Sequence, residues 1–262
     1  MLRALFEAGV KPDLLVGTSA GAINAAFIAA HPDVAGTHEL EKIWVGLRRT
    51  VLFRARPIRG FLGLFGSQLS LCSPEPVTRI LRAHLRYGLL ENAAVPVHVV
   101  ATELTTGLEV LLSTGPVVEA VLASASLPGI LPPVRIGERT LVDGGVTNNA
   151  PLGQGLRLGA DRIYVLSAGQ SCALTPQPRS AVGVAFQSLS VLIGRQIVND
   201  VERHHEACEL HLVPQLCPVD VGILDFSHAK NLITRAYEST QRWIANGQNS
   251  EPGQHVIEPH QH

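Results

Sequence analysis

At 262 residues, 46% hydrophobic and only 16% charged, the chain has room for one large α/β domain, or one domain with a helical appendage. That balance excludes a disordered or coiled-coil protein and suits a sheet buried on both faces. A formal net charge of −1 with scattered Lys and Arg excludes the basic footprint of a nucleic-acid binder, and the four cysteines (Cys72, Cys172, Cys208, Cys217) form no CxxC pair that would indicate a zinc site or disulfide framework.

The first predicted element is a strand at 13–17, carrying the apolar run Leu14-Leu15-Val16. It leads directly into Gly17-Thr18-Ser19-Ala20-Gly21 and then a helix at 20–30 built from small residues. A strand, a tight turn with serine at its apex and a helix together make a nucleophile elbow. The glycines let the chain turn sharply enough to push the Ser19 hydroxyl out of the sheet. The helix aims its unpaired N–H groups at the spot where negative charge develops during acyl transfer. The plainer alternative is that Gly17 and Gly21 only permit the turn and Ser19 caps the helix.

A helix at 37–47 precedes a segment that mixes charge and apolar bulk. Arg48, Arg49, Arg54, Arg56 and Arg59 are interleaved with Val51, Leu52, Phe53 and Ile58, and Phe61-Leu62-Gly63-Leu64-Phe65 follows. Such a surface can sit on an anionic membrane interface, and residues 48–65 are the expected point of peripheral membrane contact. The alternative is a cap that packs its phenylalanines inward and solvates its arginines.

A helix at 74–85 leads to strands at 96–103 and 109–113, a helix at 117–125 and a strand at 139–143. This last strand ends in a carboxylate, as Thr140-Leu141-Val142-Asp143-Gly144-Gly145. A carboxylate within hydrogen-bond reach of a serine can take its proton directly, so a Ser–Asp pair can run hydrolysis without histidine. Gly144 and Gly145 give the backbone room for that approach, although an ordinary Asp-Gly turn has the same signature.

Beyond this lie a helix at 152–158, a strand at 162–167, a loop at 171–180 with Pro176 and Pro178, a helix at 181–207, a strand at 208–213 and a helix at 228–246. In the long helix Val182, Phe186, Leu189, Ile193, Ile197 and Val201 make one apolar face, expected to pack on the sheet, with a partner helix as the alternative. Residues 248–262 read as a disordered tail. Alternating strands and helices imply a mostly parallel sheet sandwiched by helices. His98, His204, His205 and His211 lack the spacing of a zinc protease, so no metal or other cofactor is expected.

Three separate motifs now stand in one order: Gly17-Thr18-Ser19-Ala20-Gly21-Ala22, Ala123-Ser124-Ala125-Ser126-Leu127-Pro128, and Leu141-Val142-Asp143-Gly144-Gly145-Val146 with Asn148-Asn149-Ala150-Pro151 following. In these the chain resembles the patatin-like phospholipase family of bacterial type, over about residues 1–160. Asp225-Phe226-Ser227-His228 adds a weaker likeness. The resemblance implies a patatin-like acyl hydrolase architecture, with a catalytic core at 1–156 and an α/β continuation with long helices at 157–247. It implies a lipid acyl hydrolase acting on fatty-acyl esters through an acyl-enzyme, with Ser19 as nucleophile and Asp143 as base.

The family begins with a buried strand and a glycine-rich loop that supplies most of its oxyanion hole, followed by a helix that Leu2-Arg3-Ala4-Leu5-Phe6-Glu7-Ala8-Gly9 resembles. The resemblance thus implies an N-terminally incomplete core, with the Ala20 backbone as the remaining oxyanion donor. A start assigned too late, a truncated gene and a genuine remnant all fit. Two other functions stay open. One is a catalytically impaired remnant serving as a lipid-binding or interaction module. The other is an α/β-hydrolase with a Ser-Asp-His triad, which needs several strands before its nucleophile. The first apolar stretch breaks at Glu7 and Gly9, too soon for a signal-peptide core, so a cytoplasmic protein with peripheral membrane contact is expected.

Overall fold

A computed structural model of the chain describes residues 1–47, 70–167, 181–216, 219, 221 and 225–247. The basic and aromatic segment 48–65, the loop 171–180 and the tail 248–262 lie outside the described residues. In chain order the described helices are α1 (Leu2–Glu7), α2 (Ala20–Ala30), α3 (Val34–Gly46), α4 (Glu75–His84), α5 (Val117–Ser124), α6 (Leu152–Arg157), α7 (Ala181–His204) and α8 (Ala229–Ala245). The strands are β1 (Leu15–Thr18), β2 (Val97–Glu103), β3 (Glu109–Leu112), β4 (Val134–Ile136), β5 (Arg139–Asp143), β6 (Arg162–Val165) and β7 (Glu209–Leu212). The chain forms two compact units, Pro12–Pro151 and Met1–Lys11 with Leu152–His262.

The unit Pro12–Pro151 is an α/β fold built on a five-stranded mixed sheet of order β1-β2-β5-β4, with β3 also paired to β2. β1 runs parallel to β2, Thr18 opposite Val100, so the carboxyl ends of both strands lie on one side. The other pairs, β2–β3, β2–β5 and β4–β5, are antiparallel. The sheet is therefore less parallel than alternating strands and helices imply, and for β2–β3 and β4–β5 short connections are the reason. β4 and β5 are joined across only Gly137 and Glu138, with Gly137 at φ 59°, and a two-residue link of this kind makes a hairpin. Among the described residues the outer edge of β1 has no strand partner.

α2 lies on β1 because its inward positions are small. Ala22, Ala25, Ala26 and Ala29 are buried with Phe27 and Ile28. α5 packs on β2 and β5, burying Val117, Ala120, Val121 and Ala123. Ala101, Val110, Ala123 and Leu141 form a core cluster that fixes the ends of β2 and β5 beneath the turn after Asp143.

In the other unit β6 and β7 form a parallel pair. α1 packs on α8, where Leu5, Val213 and Trp243 make the core. The Arg3 guanidinium lies 3.8 Å from the centre of the Tyr237 ring, and the Tyr237 hydroxyl donates to Glu7. Along α7, Ile197 and Val201 are buried while Val184, Val191 and Leu192 are exposed. Among the described residues no helix is long and apolar enough to cross a membrane.

Candidate active site

Ser19 joins the end of β1 to the start of α2, and its backbone is the only non-glycine one among the described residues with positive φ, at 56°. A side chain in that region strains the backbone by roughly 1–3 kcal/mol, and such strain persists where the surroundings over-determine it. The constraint comes from both sides of the turn. A Cβ at Gly17 would lie 2.5 Å from the Gly21 carbonyl oxygen, so strand and helix approach more closely than any other residue allows. Gly21 differs, since nothing lies within 4 Å of a Cβ added there.

The helix-cap alternative makes a distinct demand, that the Ser19 hydroxyl oxygen accept a bond from a backbone N–H in the first turn of α2. Ser19 occupies the cap position but its side chain makes no capping bond. Instead Ser19 Oγ donates to Asp143 Oδ2 at 2.6 Å. That is the length of a hydroxyl bonded to a carboxylate.

Asp143 comes from the last position of β5, directly opposite Ala101 of β2. Its carboxylate divides its labour. Oδ1 accepts from the Gly145 N–H at 2.8 Å, closing the Asp-Gly turn, and Oδ2 faces Ser19. The turn alternative is thus satisfied by one oxygen and leaves the other available. Gly144 is required by contact: its Cβ would sit 2.2 Å from the Val100 carbonyl oxygen and 2.9 Å from Thr18 Cγ2. Thr102 Oγ1 donates to the Asp143 carbonyl, and Thr18 Oγ1 donates to the Asn148 carbonyl, tying the turn to β2 and β1.

Asp143 is only 2% exposed. Burial penalises the ionised form and lifts its pKa from 3.8 to about 6, against the opposing pull of the bonds from Ser19 and Gly145. A carboxylate tuned toward neutrality is a better proton acceptor than an exposed one and is still ionised at pH 7.

All the sequence-stated site residues, Gly17, Thr18, Ser19, Ala20, Gly21, Asp143, Gly144 and Gly145, fall within the unit Pro12–Pro151. Ala20 and Gly21 open α2, so their N–H groups have no carbonyl one turn back within the helix. Among the described residues no histidine is bonded to Ser19 or Asp143. His98 pairs instead with Ser113, at 2.7 Å. Sequence reasoning gave no role to Ser124, whose Oγ accepts from the Ser19 N–H at 2.9 Å. Its only signal was its place in the Ala123–Pro128 motif.

The family model for patatin-like phospholipase matches residues 1–156. An NTE family protein of Mycobacterium tuberculosis is 34% identical over 150 residues, covering 57% of this chain and 24% of that protein. The lysophospholipase nte1 of Aspergillus terreus is 28% identical, covering 68% of this chain and 11% of the relative. Patatin-like phospholipase domain-containing protein 7 of Mus musculus is 27% identical, covering 64% and 12%. The chain therefore matches no more than a quarter of the length of these relatives.

Proposed function

The chain belongs to the patatin-like phospholipase family, and we propose that it is a serine-dependent lipid acyl hydrolase in which Ser19 is the nucleophile and Asp143 the general base. The observation that carries this reading is the 2.6 Å bond from Ser19 Oγ to Asp143 Oδ2, made from a strained apex by a serine that does not cap its helix. In the first step the Ser19 proton passes to Asp143 Oδ2 as Oγ bonds to the acyl carbonyl carbon. Negative charge gathers on the carbonyl oxygen, and the Ala20 N–H at the start of α2 is the donor assigned to it, with Gly21 beside it. Collapse breaks the ester C–O bond, and the leaving alcohol takes the proton from Asp143. Water then attacks the acyl-enzyme, giving a proton to Asp143. As the bond from Ser19 Oγ to the acyl carbon breaks, that proton passes from Asp143 to Oγ, which releases the fatty acid and restores both the serine hydroxyl and the carboxylate.

Relatives named lysophospholipases support a phospholipid with a single acyl chain as the first natural substrate to try. Residues 48–65, with five arginines among aromatic and aliphatic side chains, are the segment assigned to peripheral contact with an anionic lipid surface. The test is hydrolysis of a short-chain p-nitrophenyl ester by the wild type, Ser19→Ala and Asp143→Asn. Ser19→Ala abolishes turnover, and Asp143→Asn loses about 10²–10⁴-fold because an amide cannot take the proton. Asp143→Asn with most of its activity intact refutes the assignment.

A further inference from the structure

The Ser19 backbone needs a restraint, because a non-glycine residue at φ 56° and ψ −123° does not hold that shape by itself. One buried hydroxyl supplies a bond at the apex. Ser124 is the last residue of α5, its side chain is fully buried, and it lies 105 positions from Ser19 in sequence. A hydroxyl has one proton to give and two lone pairs to offer. Ser124 Oγ gives its proton to the Val100 carbonyl at 2.5 Å and accepts the Ser19 N–H at 2.9 Å. The Val100 carbonyl belongs to β2, at the position paired with Thr18 of β1, so the hydroxyl is referenced to the sheet beneath the turn.

The same short segment holds the other half of the pair. Two residues on, the Ser126 carbonyl accepts the Asp143 N–H at 2.9 Å. The end of α5 therefore grips the backbone of Ser19 through a side chain and the backbone of Asp143 through the main chain. One short segment thus bonds to both partners, adding to the sheet pairing that already holds β1 and β5 against β2.

We propose that Ser124 is a positioning residue for the proposed hydrolysis, clamping the Ser19 backbone so that Oγ points at Asp143. The proposal rests on the reading of Ser19 as nucleophile. It has a second consequence. Because the Ser19 N–H is engaged by Ser124, that group is not free to hold a developing oxyanion, and the burden falls on Ala20 and Gly21.

Loss of the clamp lets the apex relax, and misplacing a reacting atom by about 1 Å can cost on the order of 10²-fold in rate. The experiment uses the full chain. Amide hydrogen exchange at Ser19 is followed by NMR in the wild type and Ser124→Ala, beside ester turnover. The control is Thr240→Val, which removes another fully buried hydroxyl, one bonded to the Ala236 carbonyl of its own helix. In the wild type the Ser19 amide is protected. In Ser124→Ala that protection is lost while the β2 amides stay protected, and kcat falls by about 10- to 100-fold with KM little changed. Thr240→Val keeps both the protection and the rate.

A Ser19 amide that exchanges freely in the wild type overturns the clamp, whether or not Ser124→Ala folds. So does Ser124→Ala with an unchanged rate, or Thr240→Val that slows equally. Ester turnover that survives Ser19→Ala is a different failure, that of the nucleophile assignment.

Discussion

Asp143 is where chemistry and stability pull in opposite directions. Its pKa is raised from 3.8 to about 6 by burial, so the folded protein binds this proton more tightly than the unfolded chain does. The corresponding stability is fully present below about 3.8 and is lost as pH rises through about 6, the loss reaching about 3 kcal/mol by pH 7. As the proposed base, Asp143 must nonetheless be ionised to act. Turnover on a soluble ester therefore rises with pH through about 6 and levels off above it, while this residue's contribution to stability falls over the same interval. Asp143→Asn carries no charge at any pH. Urea unfolding of the pair should show the wild type losing ground to the variant between pH 4 and 7, with the variant catalytically poor throughout. A pH-independent gap between them contradicts the buried ionisation. Ser19 offers a second comparison: Ser19→Gly relieves the positive φ that Ser19→Ala retains, and should be the more stable by about 1 kcal/mol, with neither active.

At the scale of elements, the glycines flanking Ser19 are not equivalent, although they look alike in sequence. An alanine at Gly17 drives its Cβ into backbone of α2, and one at Gly144 drives it into the Val100 carbonyl, contacts that no rotamer change relieves. Each should cost about 1–3 kcal/mol and disturb the Ser19–Asp143 bond. Gly21→Ala meets open space at the second position of α2, where alanine is the better helix former, and should be neutral or stabilising by up to about 1 kcal/mol. Thermal melting of the three variants decides this, and a Gly21→Ala protein as damaged as Gly17→Ala contradicts it.

The elements that could be read in the sequence were those with period or punctuation. α2 begins and ends where its run of small residues does, and β5 spans the predicted 139–143. β4 was missed because three residues behind Pro132 and Pro133 carry no periodicity, and with it went the hairpin that makes this part of the sheet antiparallel. Ser19 and Asp143 were legible because each stands at a strand end among glycines that announce a special turn. The role of Ser124 was not, since its place in the Ala123–Pro128 motif marks the segment without giving this serine a task, and its partner is 105 residues away.

For the whole molecule, the proposed lipid hydrolysis raises the question of how the Ser19–Asp143 pair would reach a lipid surface. The contact proposed for segment 48–65 predicts, from its sequence, a split between substrates. Replacing Phe61, Leu62 and Phe65 together with serine should weaken adsorption to anionic vesicles and slow turnover of aggregated lipid, yet spare a soluble ester. Equal loss on both substrates assigns those side chains to the core instead. The family assignment covers residues 1–156, a span that includes Ser19 and Asp143. The most direct test is therefore covalent. The full chain is treated with a serine-directed fluorophosphonate across pH 5–8, and the adduct is located by peptide mass spectrometry. A Ser19 nucleophile with Asp143 as its base predicts a single adduct on Ser19, forming faster as pH rises through about 6 and at least 10²-fold slower in Asp143→Asn. No adduct, an adduct on another serine, or equal labelling in Asp143→Asn contradicts it.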